Sequence, residues 1–266
     1  MKKKTGAIIT DIILVVCLIV AVFSAWKLWG FYQKYHKGEE EYNKLTDYVN
    51  KKDDDTGKKA ETDGKKADIC PITVDFDALQ EINEDVVGWI YIPGTEVNYP
   101  VVQGDDNEYY LHRTFEKKDN FTGAIFLDYL CQLDFSSDNT ILYGHNMKNG
   151  TMFGYLKRTY DTGYDKEADW SNHRKMWLLS PDAVREYELF AARRISAKAD
   201  VDVYTVECGT PEEYEAFQKE QKENSIYDTG IKPDKERTML TLSTCTSDSE
   251  DGRFVVQALL LQKTNP

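Results

Sequence analysis

The run "AIITDIILVVCLIVAVFSAWKLW", residues 7 to 29, constrains this chain more than any other stretch. From Ile12 to Ala25 almost every residue is apolar, and the tolerable window extends from Gly6 to Trp29. A membrane-spanning helix needs about 20 such residues. Lys2, Lys3 and Lys4 precede the run, and Asp11 lies near that charged end, within reach of the interface. Trp26, Trp29 and Tyr32 sit at the far end, where interfacial aromatics belong, and Lys27 can snorkel there. The leading lysines favour a cytoplasmic N-terminus, which puts the rest of the chain outside. A cleaved signal peptide is the competing reading, and "VFSAW" offers small residues for it. The length of the run and its aromatic exit favour an uncleaved, single-pass anchor. Residues 1–30 are therefore expected to be a cytoplasmic tip and anchor, with residues 6–29 in the bilayer of the cell membrane.

Residues 31–69 follow as a stalk. "YQKYHKGEEEYNKLTDYVN" is polar and reads as helical. "KKDDDTGKKAETDGKKAD", residues 51 to 68, has no aromatic or large aliphatic residue. It cannot bury enough surface to offset its ordering, so a flexible linker is expected. Residues 70–266 then form the outer domain. The chain has a formal charge of −13. Such a surface repels phosphate backbones and speaks against a nucleic-acid partner. The five cysteines form no CxxC pair, and only four histidines accompany them, so no metal or cofactor is expected. Cys17 falls in the anchor. A disulfide between two of Cys70, Cys131 and Cys208 stays open, because three thiols leave an odd one.

Within the outer domain, Phe76, Leu79 and Ile82 have helical spacing, with Gly88 as the stop. Strands are expected at "WIYI", at "EVNYPVVQ" with Pro100 marking an edge or bend, at "GAIFLD" and at "NTILYGHN". "MFGYLKRTY" reads as a short helix. "KMWLLS" and "EYELFAARRISA" flank a turn at Pro181–Asp182, as in a hairpin. Thr210 caps a helix that runs to about residue 224. "RTMLTLSTC" and "RFVVQALLLQ" are the last two strands. Short strands between turns, with a few helices, indicate a mostly β barrel or sandwich. No Gly-rich phosphate loop follows a strand.

Chemistry concentrates at "TLSTCTSD", residues 241 to 248. Strand alternation sends Leu240 and Leu242 one way, and Met239, Thr241, Ser243 and Cys245 the other. A structural cysteine would more often share the leucine face. If the last two strands form an antiparallel hairpin, Arg253 faces Cys245 across its mouth. A guanidinium there favours an ionised sulfur and can donate to a developing oxyanion. The competing reading is a solvated edge arginine. His145 ends the strand "ILYGH", whereas His36 lies in the stalk and His112 and His173 read as surface. A lone histidine is more often structural, but Cys245 and Arg253 need a proton carrier. Tyr143, Ser243 and Thr244 flank the site as candidate substrate-binding residues. Asp248, Glu250 and Asp251 form an acidic loop that reads as solvated.

With "YGHNM", "TLSTC" and "DGRFVV" in this order, the chain resembles a class B sortase, a membrane-anchored cysteine transpeptidase of Gram-positive bacteria. "GWIYIPGTEVNYPVVQG", "GAIFLD" and "SIYDTG" add to the resemblance, which covers roughly residues 72 to 262. It implies a closed β-barrel with inserted helices and catalysis by His145, Cys245 and Arg253. It also implies secreted proteins with a C-terminal sorting signal as substrates, cleaved after threonine through a thioacyl enzyme. The acceptor would be an amine of a peptidoglycan precursor, with a pilin lysine as the alternative. A non-catalytic, tethered wall-binding domain is the alternative of another class. A cysteine peptidase or wall hydrolase usually places cysteine before histidine, the reverse of this order.

Overall fold

The computed structural model describes residues 2–51, 61–62, 65–66, 69–246 and 249–266. Most of the expected flexible linker, and Asp248 of the acidic loop, lie outside these residues. The chain divides into two compact units, residues 1–41 and 42–266. The helix α1 (Lys2–Leu45) accounts for the first and ends within the second. Its apolar side chains between Ile13 and Trp29 are exposed, and it is long and apolar enough to cross a membrane.

The second unit starts ahead of the expected boundary at residue 70. Leu45 is 2% exposed and Tyr42 is buried, both within the main core. A 3-10 turn (Thr46–Tyr48) leads into β1 (Val49–Lys51). A short hairpin, β2 (Glu61–Thr62) with β3 (Lys65–Lys66), precedes β4 (Ile72–Val74), which pairs antiparallel with β1. The stalk thus returns to form a small sheet with the start of the outer domain.

Helix α2 (Phe76–Ile82) is capped by Asp75, whose carboxylate accepts from the Ala78 amide. It buries Phe76 and Leu79 and ends at Asn83, not at the expected Gly88. Gly88 lies inside β5 (Val86–Tyr91). A Cβ there would come within 2.7 Å of the Leu179 carbonyl oxygen and 2.8 Å of the Phe135 ring. The glycine serves close strand packing rather than helix termination.

Then come β6 (Asn98–Val102), β7 (Ile125–Leu127), β8 (Asn139–Tyr143) and α3 (Gly154–Tyr160). The hairpin β9 (Lys175–Ser180) and β10 (Ala183–Ser196) turns at Pro181–Asp182 as expected. A 3-10 turn (Val201–Tyr204) precedes α4 (Pro211–Glu223), and β11 (Met239–Cys245) and β12 (Gly252–Thr264) close the chain. Thr210 and Glu213 form a reciprocal capping box at α4.

Eight strands make a closed barrel in the order β10-β12-β11-β8-β7-β6-β5-β9, with β9 returning to β10. Pro100 therefore sits in a barrel strand. It is tolerated because the ladder to β7 begins only at Val101. Leu240 and Leu242 enter the barrel core, while Met239 packs outward against Tyr214 and Phe217 of α4. This is the alternation expected of β11.

Two pairings set the functional rim. Strands β8 and β11 run parallel, with Tyr143 beside Ser243. Two residues further on, both segments reach the same end of the barrel, at His145 and Cys245. Strands β11 and β12 run antiparallel, with Cys245 directly opposite Arg253.

Candidate active site

A cleft of about 230 Å³ opens at this rim. His145, Cys245 and Arg253 line it, as do Tyr143, Ser243 and Thr244. All six candidates from the sequence thus meet at one place. His112 is exposed on the neighbouring loop. His173 is half-buried rather than a surface residue, and its Nδ1 lies 3.0 Å from the Pro93 carbonyl oxygen. His36 stands on α1.

His145 projects just past β8. Its Nε2 lies 2.7 Å from the carbonyl oxygen of Leu111. A carbonyl can only accept, so Nε2 carries a proton and Nδ1 is the nitrogen open to proton traffic. Burial pushes the imidazole below its ordinary value, against the opposing pull of the Leu111 carbonyl. His112 adds a smaller downward push. The ring is therefore held mainly neutral near pH 7.

Cys245 is half-buried, and all five cysteines are free thiols. Arg253 folds over the turn before it. Its Nη1 donates to the carbonyls of Glu250 and Gly252, at 3.2 and 2.9 Å. The planar guanidinium is thereby held at the cleft with Nε and Nη2 unengaged among the described residues. Asp251 of the acidic loop pairs elsewhere, meeting Lys198 at 2.8 Å.

The flanking hydroxyls are already engaged. Thr244 is buried and donates to the Gly144 carbonyl at 2.8 Å, which ties β11 to the segment bearing His145. Ser243 lies 2.9 Å from the hydroxyl of Tyr204. Tyr143 donates to Asp128 at 2.9 Å, and burial, with the Asp128 charge, pushes its phenol far up. Tyr143 stays a neutral donor at any working pH.

Other contributors escaped the sequence reading. Leu111 and Phe126 give the cleft an apolar wall. Asn107 lines it too, with its amide donating to Asp128 at 2.9 Å. Tyr204 packs against Tyr143 with the rings tilted and their centroids 5.8 Å apart. Burial raises its phenol, the Ser243 bond and the Arg253 charge oppose this, and Cys245 adds to it. Tyr204 therefore stands within electrostatic reach of both. Its 3-10 turn carries no catalytic sequence signature, so nothing local marked it.

A closed barrel with a thiol, an imidazole and a guanidinium at one rim defines a class, the β-barrel cysteine acyl-transfer enzymes. The family model for the Sortase domain matches residues 90–261. Sortase B of Listeria monocytogenes is 36% identical over 70% of this chain and 73% of its own length. The crystal structure of Clostridium perfringens sortase B superposes with a TM-score of 0.65 at 33% identity, covering 71% of this chain and all of that one. A sortase B–substrate complex from Staphylococcus aureus gives 0.63 at 31% identity, covering 70% of this chain and 84% of that one. The chain belongs to the sortase family, in its class B branch, and is a sortase-type cysteine transpeptidase.

Proposed function

We propose that this transpeptidase cleaves a C-terminal sorting signal after threonine, keeps the acyl part on Cys245 and passes it to an amine of a peptidoglycan precursor. The observation that carries the reading is the pairing of Cys245 with Arg253 across β11 and β12, with His145 brought to the same rim by the parallel β8. The Staphylococcus aureus relative, solved as a substrate complex, supports the binding of a sorting-signal substrate.

Each residue takes a role that its chemistry fits. The sulfur attacks the threonine carbonyl as the thiol proton passes to Nδ1 of His145. The tetrahedral oxyanion accepts from the Arg253 guanidinium. The C–N bond then breaks, and the imidazolium gives its proton to the departing amine. A thioester remains on Cys245. The incoming amine attacks it, loses a proton to His145 and leaves an amide, and the thiol is restored. Tyr143, Ser243 and Thr244 shape the peptide's seat, with Leu111 and Phe126 excluding water behind the reacting bond. Helix α1 serves as a single-pass anchor, with the N-terminus in the cytoplasm and the barrel outside.

The test is product analysis on a sorting peptide with and without an added amine. An amide product that depends on both the amine and Cys245, with the acyl enzyme seen by mass spectrometry, is expected. Hydrolysis alone, unaffected by the amine, would refute acyl transfer.

A further inference from the structure

We infer that Tyr42, on the last turn of α1, is a positioning residue for His145. The inference rests on the proton-transfer role proposed above. Two separate routes lead from this one side chain to the imidazole.

The first runs through the segment between β6 and β7. The Tyr42 hydroxyl donates to the Gly123 carbonyl at 2.7 Å and accepts from the Phe115 amide at 3.2 Å. It thus joins two points of the segment that presents the Leu111 carbonyl to His145. The Ala124 amide closes the same segment by donating to the Tyr110 carbonyl at 3.0 Å. Gly123, at φ +58, lies close against the Cδ2 edge of the imidazole. A Cβ there would come within 2.9 Å of His145 Cδ2. The close approach bounds the seat of the ring on its Cδ2 side.

The second route runs through Tyr99. Its ring meets that of Tyr42 edge to face, with centroids 5.6 Å apart. The Tyr99 hydroxyl accepts from the Met152 amide at 3.0 Å. The next amide, of Phe153, donates to the His145 carbonyl at 3.0 Å. Tyr42 thus braces the side-chain seat of His145 by its hydroxyl and the backbone of His145 by its ring. Neither route touches Cys245 or Arg253. The effect should fall on proton transfer and not on peptide affinity.

The experiment uses the full chain in detergent micelles, with Tyr42→Phe, Tyr99→Phe and, as a stability control, Leu79→Ala. Tyr42→Phe keeps the ring packing and deletes only the hydroxyl bonds. Small displacements of a catalytic group can cost on the order of a hundredfold in rate. A fall in kcat of roughly tenfold or more is expected in Tyr42→Phe, with KM little changed. The NMR titration of the His145 ring should move up toward its ordinary range as its burial loosens. Tyr99→Phe should act in the same direction. Leu79→Ala, on the buried face of α2, should lower the melting temperature and leave the titration where it was. The inference is overturned if Tyr42→Phe keeps both the wild-type kcat and the wild-type titration. Turnover retained by His145→Ala would instead remove the proposed function, and the His145 titration in Tyr42→Phe would still decide the coupling.

Discussion

Cys245 is where the chemistry is most exposed to test. Cys245→Ala should abolish the thioacyl intermediate and all turnover, with the melting temperature nearly unchanged, since the side chain is only half-buried and lies outside the core clusters. Mass spectrometry and a thermal scan check the two halves separately. For Arg253→Ala, loss of an oxyanion donor typically costs on the order of a hundredfold or more in kcat. A peptide-cleavage assay should find that drop with the fold intact. His145 makes a prediction about stability. Its folded pKa lies below the ordinary 6.5 because of burial. Between those two values the unfolded chain binds the proton and the folded chain does not, so stability is complete above about pH 6.5 and falls as pH drops through that window. His145→Asn should flatten this part of the stability–pH curve. Denaturant titrations at several pH values would reveal it, and an unchanged slope would contradict the buried, neutral state.

At the scale of elements, the rim is joined by side chains that link strand to turn. Asn139 on β8 is fully buried. Its amide donates to the Val203 and Thr205 carbonyls at 3.1 and 3.0 Å, and its oxygen accepts from Thr241 of β11 at 2.6 Å. One residue thus fastens the turn bearing Tyr204 to two barrel strands. Asn139→Ala leaves these buried groups unpaired, at about 1–3 kcal/mol for each one not rescued by water. Urea unfolding should show a loss of that order, and peptide KM should rise as Tyr204 loosens. By contrast, the α4 cap is remote from the cleft. Thr210→Ala should cost about 1 kcal/mol of stability and leave kcat/KM unchanged. The cap, the β9–β10 turn and the alternation in β11 were all legible, because each depends on residues a few positions apart. Gly88 misled because a glycine after a helical pattern looks like a stop. Its cause lies across the barrel, in Leu179 and Phe135, which no local window contains.

For the whole molecule, the compact unit begins inside α1 and not after the charged linker. Tyr42 and Leu45 are core residues, and β1 supplies the partner of β4. Full burial of such side chains contributes about 1.5–3 kcal/mol each. A fragment of residues 42–266 should therefore unfold at distinctly higher denaturant than one of residues 70–266, by several kcal/mol in chevron or equilibrium analysis. Equal midpoints would show that α1 and β1 add nothing to the barrel.

By itself, the sequence determined the membrane-compatible helix, the mostly β character and the residues proposed to react. These follow from hydropathy, alternation and motifs, which are properties of neighbouring residues. Only the tertiary structure decided that a parallel β8–β11 pair brings Tyr143 beside Ser243, that Asn107 lines the cleft while Tyr204 backs Ser243, and that Tyr42 braces His145. The physical reason is that register and closure of a barrel arise from contacts between residues distant in the chain, and burial in the finished core sets which polar groups must find one another.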